Sequence, residues 1–198
     1  MNLLAHAYLS FNEPDILAGN MINDYVKGKQ KFEYPYAIQR GMNLHRAIDE
    51  FTDNHPETQA AKQYFRPQYR LYAGAFVDVL YDHFLANDLA QFVNETALQN
   101  FCQQTYSQLQ TNLHLLPLKF QQVYPYMKTQ NWLFNYRLNS GIEKGFEGLV
   151  KRAAYLNESA IAFSIFEKYY YELQICYNNF FPALKQFSHN YFLQSQKD

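Results

Sequence analysis

Carboxylates and imidazoles recur at helical spacing in the first half of this chain. Asn20 and Asp24, His45 with Asp49 and Asp53, and Asp78 with Asp82 each step by four residues. Each set therefore projects from one side of a helix. His83 follows Asp82 directly, and His6 sits in an otherwise apolar N-terminal run. Aspartate is a mediocre helix former, and a buried carboxylate is costly unless it is paired or binds a metal. Three such helices meeting at one point would make an oxygen-rich site with imidazole help, suited to a hard divalent cation.

The string VDVLYDHFLA is the sharpest signal. Asp78 and Asp82 stand among Phe76, Val77, Val79, Leu80, Tyr81, Phe84 and Leu85, so the helix is apolar nearly all round. Two unpaired aspartates cannot be buried there without a cation or a basic partner. The string HRAIDEFTD puts His45, Asp49 and Asp53 on one drifting face; its bland alternative is an exposed acidic stripe contacting Arg46. His6 alone is as readily a core histidine with a satisfied hydrogen bond. Carboxylates with one or two imidazoles suit manganese or magnesium better than a thiolate-rich zinc site does. A ferritin-like di-iron bundle would need Glu-x-x-His pairs, which the sequence lacks. It also lacks a glycine-rich phosphate loop and a GxSxG elbow.

The elements that must position these residues are helices. Pro14 opens one expected to run to about Lys27, ended by Gly28. A loop with Lys27, Lys29 and Lys31 leads to Pro35 and a second helix from Tyr36 to Asn54. Shorter helices follow from Pro56 to near Pro67 and from Leu71 to Ala86, then a longer one from Leu89 to Leu115. The pattern after Pro117 is indistinct until Trp132, and Asn139-Ser140-Gly141 could cap or break a helix. Apolar residues from Leu156 to Phe181 step by three or four in one long segment that Pro182 should kink or end. No alternating β pattern of useful length appears, so an all-α, single-domain bundle spanning 1–198 is expected.

Composition narrows the function. The formal net charge of -1 excludes a broadly basic nucleic-acid binder. No apolar run reaches eighteen residues, the N-terminus lacks a basic leader, and Cys102 and Cys176 form no CxxC pair. A soluble cytoplasmic protein without membrane association is the expectation. The aromatic content, 18 Tyr and 17 Phe against one Trp, implies interhelical packing by large rings whose buried hydroxyls need partners.

The strings MNLLAHAYLS, GNMINDYVKG, GMNLHRAIDEFTDNHPE, YAGAFVDVLYDHFLA, NWLFNYR, GIEKGFEGLVKR and FFPAL occur in this order along essentially the whole chain. In these the chain resembles the bacterial acyl carrier protein phosphodiesterases, a divergent, HD-domain-like group of metal phosphohydrolases. It departs from ordinary HD enzymes in lacking the adjacent His-Asp doublet: Asp82-His83 has the reverse order, and His45 meets Asp49 at i+4. The resemblance implies hydrolysis of the phosphodiester joining 4′-phosphopantetheine to a serine of holo-acyl carrier protein, with manganese as cofactor and magnesium or another divalent cation as alternatives. On this reading Asp24, His45, Asp49, Asp78 and Asp82 surround the metal. His6, Asp53 and His83 orient the ligands or transfer protons. Lys27, Lys29, Lys31 and Arg46 form a positive rim for the acidic carrier protein, with Arg66, Arg70, Lys151 and Arg152 as the next candidates. Two other functions stay open: an HD-type phosphohydrolase acting on a small phosphodiester or nucleotide, and a non-catalytic helical binding module.

Overall fold

A computed structural model describes residues 1–196, and its regular elements are all helical. Eleven α-helices are found among these residues: α1 (Leu3–Tyr8), α2 (Pro14–Ile22), α3 (Tyr36–Asn54), α4 (Pro56–Tyr69), α5 (Ala73–Ala86), α6 (Glu95–Asn112), α7 (Leu118–Thr129), α8 (Trp132–Asn135), α9 (Asn139–Arg152), α10 (Ala160–Lys168) and α11 (Tyr170–Gln194). Prolines open helices where their missing N–H costs nothing, as at Pro14 in α2 and Pro56 in α4. The His55 ring accepts from the Glu57 amide at 3.3 Å to cap α4, and the Asn94 side chain accepts from the Ala97 amide at 2.9 Å to cap α6. None of the described helices is long and apolar enough to cross a membrane.

Several boundaries differ from the sequence expectation. The apolar N-terminal run is itself a helix, α1, whose Leu4, Ala5, His6 and Ala7 are buried. α2 stops at Ile22 and tightens into a 3-10 turn over Asn23–Tyr25, so Asp24 leaves the helix instead of riding on it. The lysine-bearing stretch Gly28–Glu33 is also 3-10. α6 starts at Glu95, not Leu89, because Asn94 provides the cap. Helices pass through Pro67, Pro125 and Pro182. At Pro182 the flanking Tyr177, Phe180, Phe181 and Leu184 are buried, and their burial outweighs a proline cost of about 3 kcal/mol. The long C-terminal segment is instead divided at Tyr169, between α10 and α11.

One apolar core joins the helices, built largely of rings. Phe76 of α5 lies 5.8 Å from Phe65 of α4 and 5.1 Å from Phe146 of α9, the latter edge-on. The Tyr177 hydroxyl donates to Asp88 at 3.0 Å and that of Tyr124 to the Tyr106 carbonyl at 2.6 Å, so these large rings are buried without orphaning their polar tips. Cys102 and Cys176 are free and buried.

α2 and α3 cross at two glycines. A Cβ on Gly19 would lie 2.0 Å from the Ile38 carbonyl oxygen, and one on Gly41 would lie 2.3 Å from that of Ile16. Only hydrogen fits at either position. The backbones therefore approach closely enough for groups of α2's main chain to touch side chains of α3.

Candidate metal centre

His6, His45 and Asp49 converge from α1 and α3, with ligand atoms all within 4.8 Å of one another. His6 Nε2 lies 3.2 Å from Asp49 Oδ1, and His45 Nε2 lies 3.0 Å from Asp49 Oδ2 and 3.3 Å from Asp24 Oδ1. The i,i+4 spacing on α3 accounts for the His45–Asp49 contact. Asp24 joins because the 3-10 turn after α2 swings its carboxylate over His45. The imidazoles are buried floor, whereas the Asp24 side chain is 78% exposed and forms the open side.

Asn20 lies beneath both rings. Its Oδ1 is 2.8 Å from His6 Nδ1, and its backbone carbonyl is 2.6 Å from His45 Nδ1. Its amide nitrogen donates to the His6 carbonyl at 2.8 Å and to Ser10 Oγ at 3.1 Å. That leaves the Nε2 atoms, and both are buried without a hydrogen-bond partner despite their short approaches to carboxylate oxygens. An unprotonated Nε2 facing a carboxylate, as on neutral His6, repels it unless a cation or a proton held on the neighbouring His45 intervenes. Separations of 3.0–3.3 Å also match the roughly 3 Å between neighbouring donors of an octahedral ion with bonds of about 2.1 Å. The donor set of two imidazoles and two carboxylates fits a divalent transition metal, as the ligand chemistry requires.

Charge is unevenly shared without a cation. Burial, then the neighbouring His45, hold His6 down to about 4. Burial opposes charge on His45 too, but the carboxylates of Asp24 and Asp49 outweigh it and lift this residue to about 9. Burial works against ionisation of Asp49 as well, yet the two imidazoles keep its carboxyl well below the usual range.

The other residues picked out by sequence lie elsewhere or are engaged otherwise. Asp82 accepts from the Leu4 amide at 2.7 Å and the Ala5 amide at 3.1 Å, so it seals the start of α1 and does not face the imidazoles. Burial pushes its carboxyl up to about 7 against the pull of these amides. Asp78 is 3.0 Å from the Met1 amine, which in turn lies 3.5 Å from Asp49, so Asp78 adjoins the cluster through that amine. Asp53 pairs with Lys62 Nζ at 2.7 Å. His83 faces away, its ring nitrogens 2.8 Å from the Tyr136 carbonyl and 3.2 Å from the Tyr170 hydroxyl. Consecutive helical residues diverge by about 100°, so Asp82 and His83 cannot share a target.

Among the basic residues, Arg46 reaches Asn23 Oδ1 at 3.2 Å, beside Asp24, and Lys31 donates to Asn43 one turn earlier on α3. Lys27 and Lys29 are exposed. Spacing pairs Asn20 with Asp24 but gives it no role of its own; its burial at the end of α2 is the feature that marks it.

Imidazoles and carboxylates brought to one partly open point from α1, α3 and the turn after α2 make this an all-α protein with a candidate metal centre. The profile of the family described as acyl carrier protein phosphodiesterase matches residues 1–184. Proteins named acyl carrier protein phosphodiesterase are similar over nearly full length. That of Pectobacterium atrosepticum is 33% identical over 94% of this chain and 96% of its own. That of Serratia proteamaculans is 34% identical over the same shares, and that of Yersinia pestis 34% identical over 93% and 95%. No solved structure matches the chain. This chain belongs to the acyl carrier protein phosphodiesterase family.

Proposed function

We propose that the chain hydrolyses the phosphodiester between 4′-phosphopantetheine and a serine of holo-acyl carrier protein, giving apo-acyl carrier protein and free 4′-phosphopantetheine. Water adds hydroxide to phosphorus, the P–O bond to serine breaks, and the serine oxygen takes the remaining proton. The single observation behind this reading is the meeting of two unpartnered, buried Nε2 atoms with Asp49 at the edge of an exposed carboxylate.

His6, His45, Asp49 and Asp24 would hold a divalent cation, manganese by preference among hard ions that tolerate imidazole. When bound there, such a cation draws electron density from a phosphoryl oxygen and lowers the pKa of water. Asp24 keeps the site open on one side, where a phosphodiester can enter. Asp82 holds α1, and with it His6, in place. Asp53, tied to Lys62, and His83, turned toward Tyr136, support the scaffold.

The scissile bond lies at the protein end of the long phosphopantetheine arm, so the carrier protein itself must approach Asp24. Arg46 and Lys31 flank that opening, with the exposed Lys27 and Lys29 beyond. This rim suits an acidic partner. A carrier protein as substrate and two free buried thiols support a cytoplasmic location.

Mass spectrometry of holo-acyl carrier protein after incubation with enzyme, with manganese or with a chelator, tests the reading. The expected result is loss of the phosphopantetheine mass only when the cation is supplied. An unchanged carrier protein, with turnover of a small phosphodiester instead, would refute it.

A further inference from the structure

We propose that Asn20 is a positioning residue that sets the tautomer of both site histidines, His6 through its side chain and His45 through its backbone. The inference rests on the metal-site reading above but can be tested separately from it.

The Asn20 amide has only one workable orientation. The His6 carbonyl, 2.8 Å from Asn20 Nδ2, can only accept, so the nitrogen end must face it and Oδ1 must face the His6 ring. Ser10 reinforces this, because its hydroxyl spends its proton on the same His6 carbonyl at 2.7 Å and so receives the second Asn20 N–H, 3.1 Å away. With Oδ1 fixed as acceptor 2.8 Å from His6 Nδ1, that nitrogen must carry the proton. The neutral His6 ring then presents a bare Nε2 to Asp49.

His45 is governed by the same residue in a different way. The Asn20 carbonyl belongs to the last turn of α2, where carbonyls lack intrahelical donors. The glycine crossing of Gly19 and Gly41 brings it within 2.6 Å of His45 Nδ1. A carbonyl can only accept, so Nδ1 of His45 is protonated as well. One buried residue thus aims two Nε2 atoms at one carboxylate. Such outer partners commonly matter by about 10–100-fold in metal affinity.

The experiment reads ring-nitrogen protonation by 1H–15N NMR on metal-free protein and, separately, Mn2+ affinity by calorimetry. In wild type, Nδ1 of both rings is expected to be protonated, and His6 only there. In Asn20→Leu the backbone carbonyl remains but the side-chain acceptor is gone. His6 should then move its proton to Nε2, against Asp49, while His45 keeps Nδ1–H. Mn2+ affinity should fall about 10–100-fold. Asn20→Asp retains an acceptor and should keep the wild-type His6 tautomer.

A bare Nδ1 on either ring in wild type overturns the inference, whatever the variants do. So does a folded Asn20→Leu protein with the His6 tautomer unchanged. Wild type that shows both Nδ1–H signals yet binds no Mn2+ upholds the tautomer assignment and sinks the metal-site reading alone.

Discussion

The imidazoles of His6 and His45 are stacked face to face, 3.9 Å between centroids and 9° from parallel. Two positive rings at this distance repel by about 4 kcal/mol at an effective dielectric constant near 20. The pair therefore holds one extra proton at most, and it resides on His45, between Asp24 and Asp49.

The pH dependence follows from that proton. His45 is raised from an ordinary 6.5 to about 9 in the folded, metal-free protein. Its contribution to stability is complete below pH 6.5 and is lost as pH rises through 9, because the folded state binds the extra proton in that window. A cation at Nε2 must displace that proton, so metal affinity should climb by about tenfold per pH unit between these values. Mn2+ titrations at stepped pH check this, and His45→Gln should flatten the slope. A pH-independent affinity in wild type would count against the site.

Asp49→Asn and His6→Gln should each remove Mn2+ binding and carrier-protein hydrolysis while the helical content stays at the wild-type level. Asp49 contacts both imidazoles. Circular dichroism, metal analysis of the purified protein and the mass-spectrometric assay report the three quantities. Wild-type metal content in Asp49→Asn would remove that residue from the ligand set.

Asp82→Ala should behave differently. It strips the acceptor from two amides at the buried start of α1, each orphaned group costing about 1–3 kcal/mol. Denaturant midpoints should drop whether or not metal is present. A variant with unchanged stability but no metal binding would return Asp82 to the ligand set.

Reversing charge at Lys27 and Lys29 should lower kcat/KM for holo-acyl carrier protein and weaken its dependence on salt, leaving Mn2+ affinity untouched. Both side chains are exposed and neither touches the imidazole cluster. Stopped-flow association at low salt and at about 0.15 M, where screening acts beyond about 8 Å, measures the effect. If both quantities stay at wild-type values, the docking face lies elsewhere.

Gly41→Ala tests the crossing of α2 and α3. The added methyl meets the Ile16 carbonyl and should cost about 3 kcal/mol. By spreading the helices it should also lengthen the Asn20–His45 contact and weaken Mn2+ binding. Unaltered thermal stability would show that the crossing has slack.

How much of this could be read from sequence depends on the range of each contact. The His45–Asp49 contact is local to α3, so spacing alone exposes it. The apolar surroundings of Asp82 correctly demand a partner, but not which one. That partner is a pair of backbone amides 77 and 78 residues away, which carry no sequence signature. Spacing puts Asp24 on a helix because nothing in its neighbourhood announces the change to 3-10 after Ile22. His6 carries little signal in the sequence because α1 has six residues, too few for a periodic pattern. The all-α architecture was legible from apolar steps of three and four, whereas the passage of α11 through Pro182 depends on tertiary burial that overrides local propensity.

The brevity of α1 has a dynamic consequence. A helix of six residues cannot hold itself together in water, so it stays ordered only through its neighbours. Its detachment would carry His6 away while α3 kept His45 and Asp49 in register. Amide hydrogens of α1 should therefore exchange through a sub-global opening, at lower free energy than those of α3. A ligand that bridges α1 to α3 binds only the closed form and would slow that exchange in proportion to its occupancy. The N-terminal helix would then serve as a reporter of cofactor loading, readable amide by amide without any assay of turnover.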